Sequence, residues 1–108
     1  MNTYRVEYLR GADLDIVAIH DYIATTLDNP SAASRIAQRI LATCEGLSVF
    51  PRIGVAKTSQ DGIEIRYVHS GKYTIAYTVD DEKLMVTIYA VKYSRMDLGV
   101  ALGELDVQ

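Results

Sequence analysis

The chain opens on an alternation. Across residues 3–9, Tyr4, Val6 and Tyr8 fall on one side and Thr3, Arg5 and Glu7 on the other, which is the period of a half-buried strand. Gly11 breaks the pattern, and over residues 12–27 apolar side chains recur at Ile16, Ile19, Ile23 and Leu27. Spacings of three and four place them on one face of a helix. Asp28-Asn29-Pro30 then reads as a helix start, because Asp or Asn accepts from free backbone N–H groups and proline suits the first helical position. The second helix has an expected inner face of Ala33, Ile36 or Ala37, Ile40, Cys44 and Leu47. It should end before Phe50-Pro51, since proline disfavours helical geometry in the residue before it. The short connection predicts an antiparallel helical hairpin.

Residues 52–62 show no period, contain two glycines and read as a polar surface loop, a kind of segment that often carries function. Three alternating segments follow, at residues 63–69, 73–79 and 84 to about 93, with connections at Ser70-Gly71 and Asp80-Asp81-Glu82-Lys83 short enough for antiparallel hairpins. Ile65, Tyr67, Ile75, Tyr77, Val86 and Ile88 are expected to form the sheet face that packs on the helices. The predicted fold class is α+β: an N-terminal strand, a helical hairpin and a three-stranded meander, with the helices on one face of a mostly antiparallel four-stranded sheet of open strand order. A short helix is expected after Met96. The length of 108 residues suits one core, so a single domain over residues 1–108 is expected.

Composition narrows the class. With 49% hydrophobic and 23% charged residues the chain is globular rather than disordered. No run approaches the roughly 20 apolar residues of a membrane span, and the opening Met-Asn-Thr-Tyr-Arg-Val-Glu lacks the basic-then-apolar order of a signal peptide, so a cytoplasmic location is expected. Cys44 is the single cysteine and cannot form an internal disulfide; no metal-ligand spacing surrounds His20 or His69. No cofactor is implied. The formal net charge of −3 argues against a chain that binds nucleic acid by itself, although it leaves a local basic patch open.

The local sequence adds a resemblance. Ala12-x-x-Asp15-Ile16-x-x-Ile19-x-x-Tyr22-Ile23-Ala24 is followed by Pro30-x-Ala32-Ala33-x-Arg35, then by Leu47-x-x-Phe50-Pro51-Arg52-Ile53-Gly54. Ile65-Arg66 precedes Gly71-Lys72-Tyr73-x-Ile75-x-Tyr77-x-Val79, and Val91-Lys92-Tyr93-Ser94-Arg95-Met96-Asp97-Leu98 closes the series. In this order and over this length the segments resemble the ParE/RelE toxin superfamily, and the last is similar to ParE-like members. The resemblance implies the toxin of a type II toxin–antitoxin pair, held inactive in a hetero-oligomer with a cognate antitoxin.

Two actions are known within that superfamily, and they differ in kind. RelE-like cleavage of messenger RNA on the ribosome needs a base for the 2′-hydroxyl, cations for the phosphorane charge and an acid for the leaving oxygen. The candidates for such a site are Arg66 in mid-strand and Lys92, Tyr93 and Arg95 at the end of the last strand, which is expected to neighbour the first two meander strands. Lys57 would reach in from the loop. Arginine can grip phosphate bidentately and tyrosine can stack a base. ParE-like inhibition of DNA gyrase needs neither acid nor base. The acidic balance, Asp61 and Glu64 interleaved among the cations, and the Ser-Arg-Met-Asp-Leu ending favour gyrase over the ribosome. A non-toxic member acting only in an antitoxin complex is the third reading. Plainer roles stand beside these: Arg66 paired with Glu64, Tyr93 as an edge aromatic, His20 on the outer helix face, His69 beside a turn, and Cys44 in the core.

Overall fold

The computed structural model describes residues 3–94. Its elements are β1 (Arg5–Tyr8), α1 (Arg10–Asp21), a π-helical turn (Tyr22–Thr26), α2 (Pro30–Gly46), β2 (Val55–Thr58), β3 (Glu64–Ser70), β4 (Tyr73–Asp80) and β5 (Met85–Tyr93). They form an α+β fold in which one mixed sheet of order β1-β5-β4-β3-β2 carries the helical hairpin on one face. β1 runs parallel to β5, and the other pairings are antiparallel. The expected tail helix after Met96 lies outside the described residues.

Local chemistry explains the helix boundaries. The side chain of Asn29 accepts from the Ala32 N–H at 3.1 Å, with Pro30 in the first helical turn, so one of the orphan donors at the start of α2 is satisfied. Asp28 reaches this geometry through a left-handed backbone, φ 51°. Ile40, Cys44 and Leu47 of the second helical stripe meet Ala12 and Ile16 of the first over Ile75, Tyr77, Val86, Ile88 and Val91 of the sheet. Ile23 packs with Ala32 and Ala33 in a smaller cluster at the hairpin bend. Leu27, expected on the inner stripe, is exposed, because the π-helical turn ends the α-helical phase before it is reached.

Three expectations need correcting. First, the stretch at residues 52–62 is not all loop: Val55–Thr58 pairs with β3 and makes the sheet five-stranded. All four of its residues are exposed, so no buried face stamps a period of two on the sequence. Second, Ile65 and Tyr67 do not face the helices. The register pairs Arg66 with Tyr77 and Val68 with Ile75, and Tyr77 and Ile75 are core residues, so Arg66 and Val68 share the covered face while Ile65 and Tyr67 lie on the other. Third, β5 neighbours β4 and β1, not both of the earlier meander strands.

β5 also changes phase along its length. The register passes from Tyr77 opposite Ile88 to Ala76 opposite Ala90, leaving Tyr89 as the extra residue of a bulge. Core positions on β5 are therefore Val86, Ile88 and Val91, spaced two and then three. This shift sends Tyr93 to the helix side and Lys92 to the open side, the reverse of a regular strand.

Cys44 sits fully buried in this core, and burial pushes its thiol up to about 12. Native chain is expected to react with a thiol reagent on the order of 100-fold more slowly than urea-unfolded chain. Since only the unfolded thiol ionises in the window from its ordinary value of about 8.5 upward, stability should fall with rising pH from there toward the folded value, at up to about 1.4 kcal/mol per pH unit. Comparing urea unfolding of the parent and Cys44→Ala from pH 8 to about pH 10 checks the sign: the parent should lose more.

Candidate functional site

Arg66 leaves mid-β3 on the helix-covered face and its side chain is only 15% exposed. Its Nε donates to Glu64 Oε1 at 3.0 Å, and its Nη1 donates to the carbonyl oxygens of Arg52 at 3.1 Å and Gly54 at 2.8 Å. The guanidinium thus pins the segment that leads from α2 into β2. Two neighbours complete the clamp. Gly54 N–H donates to the Tyr77 hydroxyl at 2.9 Å, and Arg52 forks onto Asp81 at 2.9 and 2.7 Å while Tyr4 donates to the same carboxylate at 2.6 Å. The Arg52 bonds, then that of Tyr4, hold the Asp81 carboxyl below its ordinary range. The cluster's contribution is therefore present at neutral pH and is lost as acid protonates Asp81.

Lys92 projects from near the end of β5, level with Thr74, and from the other face of the sheet. Its Nζ donates to Asp15 Oδ1 at 3.0 Å, and Asp15 Oδ2 accepts from the Val91 backbone N–H at 3.0 Å. β1 covers β5 only as far as Ile88, so Asp15 of α1 supplies the acceptor that a continued strand would have supplied. Asp15→Ala is expected to destabilise by about 1–3 kcal/mol by leaving that N–H without an acceptor. Lys92→Met should cost less than about 1 kcal/mol, as the half-exposed ion pair is worth little by itself. Urea denaturation of the two variants gives the ranking, and equal losses would contradict it.

Tyr93 turns to the helix side and packs on Tyr73, with ring centroids 5.5 Å apart and planes tilted by 54°, a favourable offset geometry. Lys57 is exposed on β2 opposite Ile65. Arg95 lies outside the described residues. The structure therefore does not bring Arg66, Lys92 and Tyr93 together: Arg66 and Tyr93 share the covered face but stand on β3 and β5, level with Tyr77 and Tyr73 of the β4 strand between them, and Lys92 lies on the open face. His69 approaches Thr74 rather than Arg66, with its Nδ1 3.0 Å from the Thr74 hydroxyl. His20 sits beside Asp21 at 3.3 Å on α1. Among the described residues no three His, Cys, Asp or Glu side chains are placed to hold a metal ion, and no helix is long and apolar enough to cross a membrane.

Sequence reading missed the partners that fix these residues. Asp15 stood out only as part of a helical motif, and nothing in its spacing announces a bond to residues 91 and 92. Gly54 carried more signal. A Cβ there would lie 2.7 Å from the Tyr77 hydroxyl and 2.8 Å from the Tyr67 carbonyl oxygen, the kind of close approach that glycine alone permits.

Residues 6–98 match the model of a family described as the ParE toxin of the type II toxin–antitoxin system, parDE. No curated protein matches the chain. Among solved structures the chain resembles one from the chromosomal ParDE toxin–antitoxin system of P. aeruginosa, at 19% identity and a TM-score of 0.69, over 84% of this chain and 96% of that one. It also resembles a chain of a RelBE toxin–antitoxin complex from Mycobacterium tuberculosis, at 23% identity and a TM-score of 0.65, over 86% and 93% of the two chains. A third is an archaeal RelE–RelB complex from Pyrococcus horikoshii, at 17% identity and 0.60, over 84% and 94%. Identities this low speak to the fold alone.

Proposed function

Because the chain belongs to the ParE toxin family of type II toxin–antitoxin systems, we propose that it arrests growth by binding DNA gyrase and trapping its cleaved complex, and that a cognate antitoxin relieves the arrest. The observation that carries this reading is the commitment of the candidate cations to internal partners. Arg66 is taken up by Glu64 and two carbonyl oxygens, and Lys92 by Asp15. They leave opposite faces of the sheet, as the register requires. A phosphoryl-transfer site needs its charged groups convergent and preorganised around one phosphorus atom. Protein recognition needs no such convergence.

The competing reading, ribosome-dependent messenger cleavage, would use Arg66, Lys92, Tyr93 and Arg95 as its site. It draws support from the RelE-like solved structures, which share the fold. The antitoxin partner is supported by the same comparisons, since those relatives are toxin–antitoxin complexes.

A defined assay separates the two actions. Purified chain added to DNA gyrase and negatively supercoiled plasmid should yield linear plasmid after detergent and protease treatment, in proportion to the chain added. Unbroken plasmid with fully active gyrase at saturating chain would exclude the gyrase reading.

A further inference from the structure

The hydroxyls of Tyr4, Tyr8 and Tyr77 are tied inside the molecule, to Asp81, Glu45 and the Gly54 N–H. Tyr22, Tyr73 and Tyr93 differ. Their hydroxyls have no hydrogen-bond partner among the described residues, and the three side chains gather where β4 begins and β5 ends. The register sets Tyr73 directly opposite Tyr93, with 5.5 Å between ring centroids. Burial first, then the nearby phenols of Tyr93 and Tyr22, hold the Tyr73 hydroxyl above its ordinary range, so the π-helical turn that carries Tyr22 stands beside the pair.

The same turn opens this corner to the outside. It leaves Tyr22 and Leu27 56% and 54% exposed, joined by the Leu27 N–H donating to the Tyr22 carbonyl at 3.1 Å, and Asp28 follows in a left-handed backbone, φ 51°. A widened turn and a left-handed residue other than glycine both cost backbone energy, and such features concentrate at functional sites. A leucine and three tyrosines offer apolar area together with unspent hydroxyls, the composition of a protein-binding hot spot. Charge bears on the partner. β4 runs from Tyr73 to Asp80, so the Asp80-Asp81-Glu82 turn stands roughly 23 Å from the tyrosine pair at ordinary strand rise. Lys72, exposed and without an ion partner among the described residues, adjoins Tyr73. Of the carboxylates flanking Tyr22 and Leu27 in the chain, Asp21 lies beside His20 at 3.3 Å and Asp28 is exposed. The tyrosine corner thus carries an unspent ammonium far from the acidic turn, which suits a protein partner that holds a polyanion.

We infer that Tyr22, Leu27, Tyr73 and Tyr93, with Lys72 at their edge, form the surface that meets DNA gyrase with its cleaved DNA. The assignment rests on the gyrase reading and deepens it, because it names the face by which the chain holds its target.

The test measures the amount of full chain that gives half-maximal linear plasmid with gyrase and negatively supercoiled plasmid. The parent is compared with Tyr22→Ala, Leu27→Ala and Lys72→Glu. Each variant should require about tenfold more chain, with the urea midpoint kept, since the three side chains lie outside the core clusters. Val17→Ala, at a 55% exposed apolar position on α1, should match the parent, and affinity for the cognate antitoxin should be unchanged in all four. Trapping by the three variants at the parent's concentration would overturn the inference and leave the gyrase reading intact. Loss of antitoxin binding with trapping unchanged would give the face to the antitoxin and overturn it as well. No linear plasmid from the parent itself would remove the gyrase reading, and this assignment with it.

Discussion

Gly54→Ala is expected to cost about 3 kcal/mol or more, combining overpacking with a hydroxyl left without its donor. The added Cβ would meet the Tyr77 hydroxyl at 2.7 Å and the Tyr67 carbonyl oxygen at 2.8 Å, and the second of these is backbone that cannot swing away. Relief requires either moving β3 or pushing Gly54 off Tyr77. The second route breaks the 2.9 Å bond to the Tyr77 hydroxyl, on a side chain with no exposure at all. It also takes the Gly54 carbonyl from Arg66. For a domain of this size the loss corresponds to a drop in Tm on the order of 15 °C, read by thermal denaturation. A shift of only a few degrees would mean that the approach of this loop to the sheet is looser than described. Tyr77→Phe separates the terms: it removes the hydroxyl while keeping the ring, and should cost about 1–2 kcal/mol.

Arg66→Met should be the second large effect, at about 2–4 kcal/mol, because charge-assisted bonds to a carboxylate and to backbone oxygens are lost from a mostly covered position. Arg66→Lys should recover less than half of this, since an ammonium on a flexible stem cannot reproduce the fixed fork that reaches Glu64, Arg52 and Gly54 together. Urea unfolding measures both, and toxicity should decline with the folded fraction. If Arg66→Met keeps the parent's stability while abolishing growth arrest, Arg66 acts on the target, and the nuclease reading regains its principal residue.

The contrast between Arg66 and the rest of the fold shows where sequence reading ended. The helical stripes were legible because burial imposes spacings of three and four: Ile16 and Ile23 on one side, Ile40, Cys44 and Leu47 on the other. The Asn29-Pro30 start was legible from the chemistry of the cap. The family was legible from segments that recur in order along most of the chain. β2 was not, since a fully exposed strand has no buried side to mark. β3 misled in a specific way. Ile65 and Tyr67 are the more apolar alternating pair, yet the covered face takes Val68 and an arginine whose charge is matched by Glu64 and two loop carbonyls. Those carbonyls belong to residues more than ten positions away, and no local pattern encodes them. The bulge at Tyr89 reversed the faces of Lys92 and Tyr93, and its only trace is the spacing of two then three among Val86, Ile88 and Val91. Thr74 and Ser94 gave no sign at all, because the Thr74 hydroxyl meets His69 on one side and Ser94 on the other only once the strands are in register.

The most direct test of the functional account is inducible expression of the chain without antitoxin, scoring growth, trapped gyrase–DNA cleavage complexes and ribosome-positioned messenger cuts in the same cells. The account predicts growth arrest with cleavage complexes and intact messenger, relieved when the cognate antitoxin is supplied. Codon-positioned messenger cuts with gyrase unaffected, or normal growth with the chain verified as soluble, would contradict it.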